Sequence, residues 1–133
     1  MRVLDTETIK IINTFESMAQ VRVRDCILND NIYFLVEEGD MGKAIGRAGA
    51  NIKVAEKMFK KRIFVYEWNP DIKTFAKNNI PGINSINIVG KRLHIKIAKS
   101  AAGGAFGARG ARMNVIRMFF KRNFGIEEVK VVY

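Results

Sequence analysis

The chain has 133 residues, a net charge of +10 and an apolar fraction of 48%, a composition that excludes a mainly disordered protein. No apolar run is long enough to cross a bilayer and no signal-like leader opens the sequence, so we expect a cytoplasmic protein without a membrane role. The single cysteine, Cys26, excludes an internal disulfide and paired cysteine ligands for a metal, and we predict a buried, reduced thiol.

The first half of the sequence predicts the element order α-β-β-α-α-β. Ile9, Ile12 and Phe15 recur at helical spacing after Asp5, which we expect to be the N-cap. Two β-rich segments then predict a strand pair, and glycines separate the next two helices. The predicted elements are a helix over 5–19, strands over 21–28 and 31–38, a short helix ending at 45, a longer helix ending near 61 and a strand over 62–68.

The second half predicts the same order again. We expect Asn69 to cap its first helix, with Pro70 at the first helical position and Asp71 in the first turn. A Pro-Gly pair at 81–82 ends that helix. The remaining predicted elements are strands over 85–89 and 92–98, two helices flanking 107–110, and a strand over 128–133.

One strand of the second half shows a strict alternation of apolar and basic residues. This pattern predicts one buried face and one solvated, basic face. His94 falls among cations on the polar face, which argues against a catalytic role for it. The apolar positions are Leu93, Ile95 and Ile97, and the basic positions are Arg92, His94 and Lys96.

The chain contains an internal repeat. Residues 42–61 align without gaps on residues 103–122 at an offset of 61, and eight of the twenty positions are identical. We therefore predict two domains of one type, over residues 1–68 and 69–133. No Gly- or Ser-rich linker separates them, so we expect them to be packed in a fixed relation.

The charge is unevenly distributed along the chain. Residues 1–40 carry a net charge of −4, whereas eleven Lys or Arg residues and no acidic residue lie between Asp71 and Glu127. Solubility alone is served by mixed charges. A long segment without carboxylates indicates a polyanionic partner, and nucleic acid fits this better than a membrane or an acidic protein.

Two G-x-x-G turns occupy equivalent positions in the repeat. Glycines at 46 and 49 let a phosphate approach the backbone amides, and the helix that follows adds free N–H groups at its positive end. Arg47, and Arg109 in the second copy, can pair with the phosphate. Lys53, Lys57 and Lys60 are predicted to share one helix face. The full set of residues predicted to contact the nucleic-acid partner is Lys43, Gly46, Arg47, Ala48, Gly49, Lys53, Gly107, Ala108, Arg109, Gly110 and Arg112.

The frame I-G-x-x-G-x-x-I at 45–52, which reads F-G-x-x-G-x-x-M at 106–113, resembles the KH domain signature. The α-β-β-α-α-β order is similar to the type II KH variant, and two such units in tandem resemble the short NusA-like proteins of archaea. The resemblance implies an α+β fold in which each three-stranded sheet carries its helices on one face. It also implies an RNA-binding protein of transcription elongation or termination.

In the KH family the G-x-x-G turn clamps the backbone of about four single-stranded nucleotides while the bases lie in an apolar groove. By position, Ile45 and Ile52, with Phe106 and Met113, are then groove or core residues. Bacterial NusA carries further domains ahead of its KH pair. RNA polymerase is therefore a partner that the resemblance implies only in general terms, since contacts made by those domains do not carry over.

Several other readings remain open at this point. An enzyme lacks parts here, because the chain has one histidine, no acidic residue near either glycine turn and no phosphate-binding P-loop, so we expect no catalysis and no cofactor or metal. A KH-class ribosomal or ribosome-assembly protein is the nearest alternative. Binding of double-stranded DNA through the basic helix, and packing as the only purpose of the glycines, are the others.

Overall fold

The computed structural model describes residues 4–107 and 110–133 and has an α+β fold. It divides into two compact units, residues 4–70 and 71–133, which we call unit 1 and unit 2. Each unit contains three α-helices and one three-stranded sheet in the predicted order. In the part of the chain that is described, no helix combines the length and the apolarity that crossing a membrane requires.

The elements of unit 1 agree with the predicted ones to within about two residues at their ends. Both strands of the first pair are shorter than predicted. A single 3₁₀ turn, Arg47–Gly49, joins the two helices that follow these strands. The elements are α1 (Thr6–Ala19), β1 (Val23–Leu28), β2 (Ile32–Val36), α2 (Met41–Ile45), α3 (Ala50–Phe59) and β3 (Ile63–Glu67).

Unit 2 repeats this order with a longer final helix. A short 3₁₀ turn, Lys99–Ala101, precedes its second helix and was not predicted. The elements are α4 (Ile72–Asn79), β4 (Ile83–Val89), β5 (Arg92–Ile97), α5 (Ala102–Phe106), α6 (Ala111–Phe124) and β6 (Glu128–Val132).

The predicted cap of α4 is wrong by two residues. Asp71, not Asn69, is the N-cap: its carboxylate accepts from the Thr74 N–H at 3.0 Å. The Asn69 amide instead donates to Glu38 at 2.7 Å. An aspartate is as good a cap as an asparagine, and the proline one residue earlier favours an extended entry to the helix.

Both sheets have the same mixed topology. In unit 1, β1 pairs antiparallel with β2, and β2 pairs parallel with β3; β4, β5 and β6 repeat this pattern. A parallel pair needs a crossover connection, which α2 and α3 supply in unit 1 and α5 and α6 in unit 2. Each glycine turn therefore lies in the middle of a crossover, between its two helices.

The core of unit 1 lies between its helices and one face of its sheet. Ile32, Phe34 and Val36 point to this face from β2 and are fully buried. Phe15 of α1 stacks on Phe34 with ring centroids 4.1 Å apart. Cys26 is buried in β1, as predicted, and is in no disulfide.

Unit 2 buries the equivalent face of its own sheet. The apolar residues of β5 are at most 1% exposed, while Arg92, His94 and Lys96 are exposed, which confirms the predicted alternation. Phe75 of α4 contacts Phe120 of α6 edge to face, with centroids 5.3 Å apart. Because only one face of the sheet is buried, the basic face of β5 is open to solvent.

Gly103 and Gly104 are predicted to cost unit 2 stability. Both are exposed in α5 at negative φ, and a Cβ on either would have no neighbour within 4 Å. Since glycine costs about 1 kcal/mol relative to alanine inside a helix, Gly103→Ala/Gly104→Ala should raise the free energy of unfolding by about 2 kcal/mol. Urea unfolding followed by circular dichroism would measure this; an unchanged or lower midpoint would contradict it.

Candidate nucleic-acid interface

The first glycine turn connects α2 to α3 through three residues with positive φ. Gly46 closes α2 by donating its N–H to the Gly42 carbonyl at 2.9 Å, with φ 80° and ψ 170°. Ala48 and Gly49 follow in the left-handed region at φ 52° and 74°, and the Gly49 N–H donates to the Gly46 carbonyl at 3.1 Å. The backbone is therefore tightly folded and internally bonded.

The two glycines of this turn serve different purposes. A Cβ on Gly46 would lie 2.8 Å from the backbone nitrogen of Asn51, whose side-chain amide donates to the Lys43 carbonyl at 2.7 Å. This clash is enough by itself to require glycine at position 46. A Cβ on Gly49 would have no neighbour within 4 Å, so Gly49 faces open space. Packing explains one glycine, and the other leaves room for an approaching ligand.

The second turn has the same geometry where the structure describes it. Gly107 has φ 72° and ψ −176°, and Gly110 has φ 71° with open space at its Cβ position. A Cβ on Gly107 would lie 2.8 Å from the Arg112 Cγ. Ala108 and Arg109 lie outside the described residues, so their predicted contacts stay predictions.

Arg112 has a structural contact that the sequence did not suggest. Its Nη1 donates to the Gly104 carbonyl at 3.3 Å, as the amide of Asn51 does to the equivalent carbonyl in unit 1. Each side chain ties the last turn of one helix to the first turn of the next. Arg112 is also exposed, so its cationic surface stays accessible to solvent.

Exposed cations surround the first turn. Lys43 lies on α2, Arg47 within the turn and Lys53 in α3, and all three side chains are exposed, as is Ala48. Within the described part of the chain, no carboxylate lies within 4 Å of their charged nitrogens. Their positive charge is therefore not neutralised locally.

The helices that leave the glycine turns have open N-termini. Gly49 and Gly110 are the N-caps of α3 and α6, neither cap has a side-chain hydrogen bond, and neither first turn contains an acid. The first N–H groups of a helix have no intrahelical partners and attract anions. In α3 the Ala50 N–H already donates to the Arg47 carbonyl, so the donors on offer are the N–H groups that follow it.

The other long helices of the two units are capped by aspartate. The Asp5 carboxylate accepts from the Thr8 N–H at 2.8 Å, and Asp71 accepts from the Thr74 N–H and hydroxyl. The Thr8 backbone bond holds the pKa of Asp5 below its ordinary 3.8, and the Thr74 hydroxyl and N–H do the same for the pKa of Asp71. The short helices α2 and α5 also lack a side-chain cap, so the contrast of α3 and α6 is with the longer helices α1 and α4.

An apolar depression of about 400 Å³ adjoins the first turn. It runs from the turn along α3 to the edge strand β3, and Ile45, which forms part of its wall, is 37% exposed. This is the position where the KH resemblance implies a groove for bases. Its lining residues are Ile45, Gly49, Ile52, Lys53, Glu56, Ile63, Phe64 and Val65.

Glu56 corrects the expectation that no acid lies near a glycine turn, because it lines the same depression as Gly49. Its Oε2 accepts from the Ile63 N–H at 3.1 Å. The sequence placed Glu56 seven residues after the turn, which is two helical turns along α3. The carboxylate thus satisfies a backbone donor of the edge strand and is held away from the free end of the helix.

The edge strand β3 offers backbone groups to this depression. The Arg62 carbonyl and the Trp68 N–H bond to β2 at 2.9 and 2.8 Å. Because alternate residues of a parallel strand bond to the same neighbour, Val65 directs its N–H and C=O away from β2, on the side where Glu56 lies. A base in the depression could pair with those two groups.

Unit 2 carries the opposite charge at the equivalent edge. Arg117, which aligns with Glu56, donates from Nε to the Val129 carbonyl of β6 at 3.3 Å and from Nη1 to Asn114 at 3.3 Å. Phe106, which aligns with Ile45, contacts the Tyr133 ring edge to face at 5.9 Å. The second edge is therefore cationic and partly aromatic, whereas the first is apolar with a bound carboxylate.

The predicted basic face of α3 is only partly present. Lys53 and Lys57 are exposed on the helix, but α3 ends at Phe59 and Lys60 is its C-cap at φ 56°. Lys60 has left the helical path, so it does not share that face. The other predicted first-turn residues, Gly46 to Gly49 with Lys43 and Lys53, lie around one turn and one depression.

Across 4–107 and 110–133, no three His, Cys, Asp or Glu side chains are grouped as metal ligands.

Nearly the whole chain is similar to archaeal proteins that share one name. A protein of Methanocaldococcus jannaschii named probable transcription termination protein NusA is 35% identical over 97% of this chain and 74% of its own length. The chain belongs to the archaeal NusA-like family. Proteins of the same name from Thermoplasma acidophilum and Halobacterium salinarum are 26% and 23% identical, each over 96% of this chain.

A solved structure has a similar fold. The crystal structure of the protein APE1850 superimposes with a TM-score of 0.80, at 31% identity, over 96% of this chain and 99% of that one. No protein-family model matches the chain. The family membership therefore rests on the archaeal relatives, and the solved structure agrees with the α+β arrangement of both units.

Proposed function

We propose that this NusA-like protein binds single-stranded RNA through two type II KH domains and acts in transcription elongation or termination. In this proposal each G-x-x-G turn clamps the sugar-phosphate backbone, and bases enter the depression beside it. The transcription role comes from the name shared by its archaeal relatives. If both turns bind one strand, the footprint is about eight nucleotides, at four per KH unit.

The observation that carries the proposal is that α3 and α6 begin without a side-chain cap at a glycine whose Cβ position is open. Packing accounts for Gly46 and Gly107, but it does not require an open N-terminus or the exposed cations Lys43, Arg47 and Lys53. Phosphate oxygens would satisfy the free N–H groups and pair with the cations at the same time.

The depression favours single-stranded over double-stranded nucleic acid. Its walls are apolar, and its edge strand directs the backbone groups of Val65 toward the side occupied by Glu56. Bases reach such groups only when they are unstacked and unpaired. A duplex would present its backbone to the turn but keep its bases away from Ile45 and Ile52.

Arg47→Asp/Ala48→Asp should weaken binding of single-stranded RNA by about ten- to a hundredfold, because charge-assisted hydrogen bonds contribute about 1.5–3 kcal/mol. The fold should survive, since aspartate tolerates the left-handed conformation of Ala48 and both side chains are exposed. Fluorescence anisotropy with a labelled oligoribonucleotide would measure the affinity, with duplex RNA and duplex DNA as competitors.

The control for this variant changes net charge by the same amount on α1, outside the turn and its depression. Lys10→Glu/Asn13→Glu on α1 also removes three positive units, and both side chains are exposed. It should weaken binding much less than the turn variant. Equal losses in the two variants would mean that only net charge matters, and better competition by duplexes would overturn the single-strand assignment.

A further inference from the structure

The open face of the unit 2 sheet has an ordered arrangement of polar groups. Strand register places Asn87, His94 and Lys130 in one row across the three strands, and Ser85, Lys96 and Val132 in the next. All six are exposed. Together with Ile95 they line a shallow depression of about 290 Å³, which is smaller than a typical small-molecule pocket.

The equivalent rows of unit 1 have a different character. The register there places Ile27, Tyr33 and Phe64 in one row and Asp25, Leu35 and Tyr66 in the next. Five of these six are at most 8% exposed, and the Tyr33 ring stacks on Phe64 at 5.1 Å. One copy of the repeat therefore has a buried, largely apolar face where the other has an exposed, basic one.

The charge of the open face is not balanced at its centre. At one end of the sheet, Arg92 pairs with Glu128 at 3.4 Å and Lys91 with Glu127 at 3.8 Å. In the described parts of the chain, no carboxylate lies within 4 Å of the Lys96 or Lys130 Nζ. Those two lysines are diagonal neighbours, with His94 beside both of them. Like charges so close repel each other, so an anion between them would stabilise the face.

We propose that this face, centred on His94, Lys96 and Lys130, is a second binding surface for single-stranded RNA, distinct from both glycine turns. The lysines would contact phosphates, Ser85 and Asn87 would bond to ribose or base edges, and the His94 ring would stack on a base. It goes beyond the proposed KH function, since none of its residues lies in a glycine turn; Lys130 takes the place of Phe64, which lines the depression of unit 1.

The chemistry of the face fits a nucleic acid better than a lipid surface. Stable attraction to an anionic membrane uses clusters of about four to eight cations, often with an apolar element that inserts. Here two unpaired lysines stand among hydrogen-bonding side chains, on a flat strand surface with one exposed valine in the two rows, Val132. Mixed donors and a planar ring are the groups that recognise unstacked nucleotides.

The test is the salt dependence of RNA binding by Lys96→Gln/Lys130→Gln. Each phosphate contact to a single strand contributes about 0.7 to the slope of log K against log salt, so losing two should make the slope shallower by about 1.4. Anisotropy with oligouridylates of increasing length would measure the slope. The matched control is Lys73→Gln/Lys77→Gln on α4, two exposed lysines of the same unit whose loss should leave the slope nearly unchanged.

The sheet-face pair Lys96→Gln/Lys130→Gln and the α4 pair Lys73→Gln/Lys77→Gln should also be introduced into a variant with aspartate at positions 47, 48, 108 and 109. The sheet-face pair should remove the residual RNA binding of that protein, and the α4 pair should not. Equal slopes for the two lysine pairs would overturn the proposal. Binding of anionic vesicles, but not of RNA, through Lys96 and Lys130 would also overturn it. A failure of the turn variants to lose RNA affinity would contradict the KH function and leave this comparison intact.

Discussion

Arg47→Asp/Ala48→Asp combined with Ala108→Asp/Arg109→Asp should lower the affinity for single-stranded RNA by about a further ten- to hundredfold beyond either pair alone. Two linked sites on one strand gain about 10² to 10⁴ in avidity over either site alone, and while both engage the strand the loss at the second turn multiplies the loss at the first. The positions in unit 2 follow from the offset of 61 residues, which maps Arg47 and Ala48 between Gly107 and Gly110. Anisotropy with an oligonucleotide long enough for both turns would measure the effect.

RNA length separates the possible outcomes of that experiment. A four-nucleotide ligand has the length expected for one turn, so the avidity gain is absent and each single variant should lose only its own site. A quadruple variant that binds long RNA as well as wild type does would mean that the glycine turns serve packing alone. Loss in one pair and none in the other would assign RNA binding to a single unit.

Gly46→Ala should destabilise unit 1 by about 3 kcal/mol or more. Gly46 occupies a backbone region that is essentially restricted to glycine, and its added Cβ would lie 2.8 Å from the backbone nitrogen of Asn51. A backbone atom in the first turn of α3 cannot rotate away as a side chain can. The substitution therefore combines backbone strain with a clash that only movement of α2 or α3 relieves.

Gly49→Ala is the matched comparison. It adds a methyl group in open space at φ 74°, a conformation that Ala48 already adopts, so the cost should be about 1 kcal/mol. The fluorescence of Trp68, the one tryptophan of the chain, reports on unit 1 because the ring lies under the Arg24 guanidinium at 3.8 Å. Equal unfolding midpoints for the two variants would contradict this view of the turn. RNA affinity lost by a folded Gly49→Ala protein would indicate close backbone approach.

Local patterns in the sequence predicted the elements of both units well. Asp5 caps α1 as expected, and the alternation in β5 gave the correct buried face, because capping and burial in these segments depend on immediate neighbours. The same local reasoning chose Asn69 over Asp71, since both are strong caps and only the path of the chain decides between them. The 61-residue repeat correctly indicated two turns with the same φ pattern at their glycines.

Contacts between distant segments could not be read from the sequence. Asn51 and Arg112 hold the two turns, yet the repeat gave no signal because the residue type differs. Val54 and Val115 are identical in the repeat, but Val54 is 48% exposed and Val115 only 2%. Such burial depends on the tertiary surroundings of each helix, which an internal alignment does not contain.

The exchange of Glu56 for Arg117 has a consequence for how a duplicated protein could read its ligand. Two grooves of equal chemistry would accept a strand in shifted alignments with similar energy. Here one groove edge presents a carboxylate bound to a backbone N–H, and the other presents a guanidinium bound to a backbone carbonyl. Nucleotides that bind well at one edge would bind less well at the other. A single reversal of charge after gene duplication would therefore favour one register of an RNA strand on the protein.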